Sequence, residues 1–126
     1  MKLGIIGTYG AFNPADFDAA KARGLSFVEY CINVGCDWQA FASSADEINA
    51  AVARTGVTVG SIGRWGTARI TADGPIAEEM EADKALIRTA AKVGCPVFVC
   101  GCNRVEGLSD FENCRLAIAY FQELLD

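Results

Sequence analysis

Histidine is absent from this sequence. Its absence removes the commonest general base and a favoured metal ligand. A Ser-His-Asp triad, a Cys-His dyad and a His-bearing zinc site are therefore excluded within the chain. Basic residues are scarce too. Eleven Lys and Arg stand against 16 Asp and Glu, for a net charge of −5 and a pI near 4.7. A nucleic-acid partner needs clustered Lys and Arg, so none is expected. No apolar run approaches the ~18 residues of a membrane span, so no membrane partner is expected either. The opening "MKLGIIGTYGAF" lacks the long apolar core and small-residue cleavage site of a signal peptide and reads as a first strand.

Six cysteines are present, at 31, 36, 95, 100, 102 and 114, and no pair has C-x-x-C spacing. "CPVFVCGC" fits no common zinc pattern. Several of these residues sit in apolar stretches, where a free thiol acts as a small hydrophobe. A reducing, cytoplasmic setting is expected. Gly4, Gly7 and Gly10 do not make G-x-G-x-x-G, and the first helix starts too late for a dinucleotide fingerprint.

What remains is a globular composition, 52% hydrophobic and 21% charged. Residues 1–126 read as one domain or part of one. A repeat runs along it. Three helix-like stretches end on Gly24, Gly56 and Gly94 and pass directly into apolar strands. The strands are expected at 3–7, 26–31, 58–62 and 97–100. Asn13 and Pro14 open the first helix. Ser44 and Glu47 have capping-box spacing for the second, and Ser109 and Glu112 for the fourth. Pro75 is expected to open the third. Its Glu78, Glu79, Glu81 and Asp83 precede Lys84, Arg88 and Lys92, an order that suits the helix dipole and reads as a solvated face. The fourth helix carries Phe111, Leu116, Ile118, Phe121 and Leu125.

The fold class is therefore α/β, four consecutive βα units with a parallel sheet and right-handed crossovers. Two architectures fit: half of a (β/α)8 TIM barrel, or an open doubly wound sheet. Either one places function beyond the C-terminal ends of the strands. Here the strand-to-helix loops are the long ones.

The stretches "KLGIIGTYGAF", "AAKARGLSFVEYC", "GVTVGSIGRWG" and "DKALIRTAAKVGCPVFVCGCN" together resemble the xylose-isomerase-like TIM-barrel family. That family includes sugar and sugar-phosphate isomerases and epimerases. The resemblance covers all 126 residues and implies the N-terminal half of such a barrel. It implies a sugar or sugar-phosphate ligand and a divalent metal (Mn, Mg or Co) in the full-length family. The family's metal ligands lie on later strands, so this chain alone is expected neither to bind the metal nor to catalyse. The expected partner is the missing C-terminal half or a second copy of the chain. The alternative is a non-catalytic half-barrel module that binds a small molecule or self-associates.

Seven residues are candidates for the pocket, and none is assigned catalysis. Glu29 lies inside an apolar strand, where a carboxylate needs a partner or a polar cavity. Alternation puts it with Phe27 and Cys31 on one face. The plainer reading is an ion pair with Arg64. Arg64 and Trp65 follow the third strand; Trp65 can stack on a sugar ring and Arg64 can hold an anion. Tyr9 and Phe12 follow the first strand and could wall the pocket. Asn103 and Arg104 follow the fourth and could bind a hydroxyl and an anionic group.

Overall fold

The computed structural model describes residues 1–126. Along the chain run β1 (Gly4–Ile6), α1 (Pro14–Ala22), β2 (Phe27–Cys31), α2 (Trp38–Ser43), α3 (Ala45–Thr55), β3 (Thr58–Arg64), β4 (Ile70–Thr71), β5 (Gly74–Pro75), α4 (Ala77–Lys92), β6 (Phe98–Cys100) and α5 (Asp110–Leu125). Strands β1, β2, β3 and β6 form one parallel sheet in that order. β4 and β5 make a separate antiparallel pair. Sheet order follows chain order, without the reversal that defines a doubly wound sheet. Of the two expected architectures, the half barrel is the one present.

Local signals account for most element ends. Asn13 Oδ1 accepts from Ala15 N at 3.0 Å, and Pro14 occupies the first helical position of α1. Gly56 ends α3 at φ 76°, where a Cβ would be strained. Ser109 and Glu112 close a reciprocal capping box on α5. Two expectations are corrected. Ser44 and Glu47 form no capping box: α2 runs directly into α3, and the Ser44 hydroxyl donates to Ala40 O instead. α2 itself lies in a stretch read as loop and is capped by Asp37, whose Oδ1 accepts from Ala40 N at 2.9 Å. Pro75 does not open the third helix. It belongs to β5, and α4 begins at Ala77.

One face of the sheet is packed. Val28, Tyr30, Val59 and Ile62 meet Phe17, Ile48 and Leu86 from the helices in one buried cluster. A smaller cluster joins Ile70 and Met80 to Leu116, Tyr120 and Leu124 of α5. The other face is the concave, barrel-interior side. Register aligns Ile6 with Glu29, and Glu29 with Ser61 across an irregularity at Val28/Glu29. Phe27 lies on this face between two glycines of neighbouring strands. A Cβ on Gly4 would sit 2.2 Å from the Phe27 ring and 2.6 Å from its carbonyl oxygen, and one on Gly60 would sit 2.5 Å from the ring. Glycine on both sides lets the ring lie across the sheet near the N-terminal ends of the strands.

This close approach generates a prediction. Backbone cannot swing aside as a ring can, so Gly4→Ala should cost about 1–3 kcal/mol, the usual cost of overpacking. Urea unfolding checks it, and a variant with an unchanged midpoint would refute the contact.

Candidate functional site

The strand C-termini open onto a small cleft of about 160 Å3, lined by Trp65, Gly66, Thr67, Arg69, Gly101, Cys102 and Asn103. Trp65 is its largest wall and is 47% exposed. Its indole spans two strand ends. Gly63 would place a Cβ 3.7 Å from Trp65 Nε1, while Gly101 would place one 2.5 Å from Cζ3. Any side chain at 101 would therefore displace the ring. From the other side, Trp65 N donates to Asn33 Oδ1 at 3.0 Å, and Trp65 O accepts from Val34 N at 3.0 Å. Three strand-end loops thus fix one aromatic surface.

Beneath the cleft is a buried charge cluster. Asp83 is fully buried, Arg69 is 1% exposed and Arg64 is 4% exposed. Arg69 Nε donates to Asp83 Oδ2 at 2.9 Å, and Arg64 donates to Glu79 Oε2 at 2.9 Å. Arg64 Nε and Asp83 Oδ1 face each other at 3.7 Å without a hydrogen bond. Tyr120 Oη donates to Asp83 Oδ2 at 2.6 Å. Burial, then Asp83, raises the Tyr120 pKa and keeps the phenol protonated. Other guanidinium protons go to carbonyls: Arg64 to Ile32 and Asn33, Arg69 to Thr67 and Arg64. Two arginines balance two acids.

The expected site residues separate accordingly. Trp65 and Asn103 line the cleft together. Asn103 is committed within it: Oδ1 accepts from Arg69 N and Ile70 N, and Nδ2 donates to Ile70 O. It clamps the loop before β4 in place. Arg64 does not join them. Register pairs Cys31 with Gly63, so Arg64 falls on the opposite, helix-facing side, inside the charge cluster. For the same reason Glu29 makes no ion pair with Arg64; Glu29 Oε1 accepts from Ser61 Oγ at 3.0 Å on the concave face. Phe12 packs edge-on against Phe17 and lines the helix layer. Tyr9 stands exposed beyond β1, and Arg104 is exposed and paired with Asp110. The acidic run of α4 is not wholly solvated, because Glu79 and Asp83, four residues apart, share the face turned to the arginines.

Arg69, Gly101 and Thr67 were missed in the sequence. The i, i+4 acids of α4 were the available signal for a buried basic partner, but nothing in the sequence says which arginine returns to them. No three Cys, Asp or Glu side chains converge as a metal site needs. The inward carboxylate Glu29 has a serine for company, so the residues present do not fit a divalent metal.

Three of the six thiols are held away from the thiolate form. Burial first, and the Asp83 charge second, push the Cys100 thiol up to about 11. Burial also raises Cys102 and Cys95. A thiol with a raised pKa is neutral at pH 7–8 and a poor nucleophile.

The fold and site define a class: half of a parallel (β/α)8 barrel with an aromatic-walled cleft at the strand C-termini. No family model matches the chain, and no curated protein matches it. Two solved structures do in backbone. The 3-keto-D-glucoside 4-epimerase from E. coli superposes with a TM-score of 0.68 at 17% identity, over 98% of this chain and 50% of that one. A xylose isomerase domain protein from Planctomyces limnophilus gives 0.66 at 17% identity, over 98% and 47%. This chain spans about half the length of both, and the likeness establishes its fold as a TIM half barrel.

Two outcomes are expected from this site. Asp83→Asn leaves buried arginine charge uncompensated and should cost about 3–5 kcal/mol in chemical denaturation; a loss below about 1 kcal/mol would contradict the cluster. Alkylation at pH 8, followed by mass spectrometry, should modify exposed Cys114 first and buried Cys95 and half-buried Cys100 last. Labelling of Cys100 as fast as Cys114 would show that its thiol is not raised.

Proposed function

We propose that this chain is the ligand-positioning N-terminal half of a sugar isomerase or epimerase barrel, and that its cleft takes a neutral sugar ring. The observation that carries this reading is Trp65, held half-exposed across two strand ends by glycine. An indole face stacks on the apolar C–H face of a sugar. Thr67 contributes a hydroxyl beside it. Charge selects against phosphate. Arg64 and Arg69 are consumed by Glu79 and Asp83, and Arg104 is paired outside the cleft. No free arginine lines the cleft to hold a phosphate bidentately. Supporting the substrate class, one structural neighbour is named for a keto-glucoside and the other for xylose isomerase.

In this reading the chain binds and orients, while the acid/base carboxylates and any metal belong to groups outside it. By itself the chain is proposed to be inactive.

Tryptophan fluorescence tests this directly, because the chain has two tryptophans. In a Trp38→Phe background Trp65 is the sole indole reporter. Titration with D-glucose, D-xylose and a 3-keto-glucoside should give a saturable change for at least one sugar. Calorimetry should show binding weakened at least about tenfold, or ~1.4 kcal/mol, in Trp65→Ala. A chain whose emission responds to none of them would defeat the sugar reading. A tenfold preference for the phosphorylated sugar would defeat the neutral one.

A further inference from the structure

Arg69 makes more bonds than charge balance with Asp83 requires. It lies in the segment between β3 and β4 and is 1% exposed. Its Nε donates to Asp83 Oδ2 at 2.9 Å. The two terminal nitrogens turn back to the chain: Nη2 donates to Arg64 O at 2.9 Å, and Nη1 donates to Thr67 O at 3.1 Å. Its own N–H donates to Asn103 Oδ1 at 2.6 Å.

The two carbonyls bracket Trp65 and Gly66. Arg64 O and Trp65 N belong to one peptide unit, and both are bonded. The oxygen accepts from Arg69, and the N–H donates to Asn33 Oδ1 at 3.0 Å. On the next peptide unit, Trp65 O accepts from Val34 N at 3.0 Å. A peptide unit is planar, so fixing the units on both sides of Trp65 fixes the direction of its Cα–Cβ bond. Gly66 follows at φ 92° and brings backbone freedom into the turn. The bond to Thr67 O removes that freedom on the far side. Arg69 is the one side chain bonded on both sides of Gly66.

We infer that Arg69 is the positioning residue of the cleft: its guanidinium holds the turn that carries Trp65, while Asp83 and Tyr120 hold the guanidinium. Tyr120 Oη donates to the same Asp83 Oδ2 at 2.6 Å. The contacts therefore run from α5 through α4 to the mouth of the cleft. A turn held in this way presents the indole in one orientation before a ligand arrives, which lowers the ordering cost of stacking. The positioning role rests on Trp65 as the ring-binding surface; the rigidity of the turn does not.

Arg69→Lys separates positioning from charge balance. Lysine keeps a positive charge beside Asp83, but its donors sit on one nitrogen and cannot span a carboxylate and two carbonyls. The readout is the anisotropy decay of Trp65 in a Trp38→Phe background, recorded without ligand. The amplitude of fast, sub-nanosecond motion should rise at least about twofold in Arg69→Lys, with the circular dichroism of the parent retained. Tyr120→Phe keeps the buried ring and removes only the hydroxyl on Asp83. Its amplitude should fall between the two, and it decides the matter if Arg69→Lys does not fold. A lower urea midpoint in Arg69→Lys with an unchanged decay would make Arg69 only the counter-charge of Asp83 and overturn the inference. An unchanged decay in Tyr120→Phe would overturn it too. Because no sugar is present, this result and the sugar titration stand or fall separately.

Discussion

Asp83 is the point on which the upper half of this structure converges. It is a fully buried carboxylate held by two arginines and a tyrosine. Through Arg69 it fixes the segment leading into the β4–β5 pair. Through Tyr120 it seats α5, and through its own helix it seats α4 against β3. Taking two cations and two anions out of water is costly, and their mutual attraction offsets that cost only when nearly every proton and lone pair finds a partner. Here the carbonyls of Ile32, Asn33, Arg64 and Thr67 take most of the remaining protons, and only the Arg64 Nε–Asp83 Oδ1 pair is left at 3.7 Å without a hydrogen bond. The cluster therefore specifies one arrangement of loops, more than it adds net stability.

That arrangement is what makes a site. The loop after β3 bends over the cluster, and Asn103 from the β6 loop clamps it. Trp65 is then left on top with one face against the strand ends and the other toward the barrel mouth. The same device appears at the opposite end of the concave face, where Phe27 lies between Gly4 and Gly60. In both places a glycine makes room for a flat ring beside the backbone. The aromatic near the strand N-termini fills the interior. The aromatic at the strand C-termini is presented to solvent. Because Arg64 and Arg69 are paired with Glu79 and Asp83, the cleft above them has no free guanidinium.

The sheet is stabilised from one side. Its helix-facing surface carries the larger buried cluster, while the concave face and the two edges keep Ile6, Val97 and Val99 exposed.

Much of this was legible in sequence because it is local. The βα repeat followed from helices that stop on glycine and lead straight into apolar strands, and two of three caps were read correctly. The alternation that places Glu29 opposite Val28 and Tyr30 held as well. α2 was hidden because its six residues carry no amphipathic repeat long enough to see. Arg64 was read as a loop residue because β3 extends two residues beyond its apolar stretch. Its side was decided by register, and a one-residue step inverts the face.

The sequence by itself determined the order of elements, their type and most of their ends, since propensity, capping and period act over a few neighbours. Only the tertiary structure decided between barrel and doubly wound order. It also decided which acids of α4 are buried, which arginines they neutralise, and that Trp65 rests on Gly101. Those outcomes depend on residues 14 to 37 positions apart meeting in the fold, and no local rule encodes that meeting.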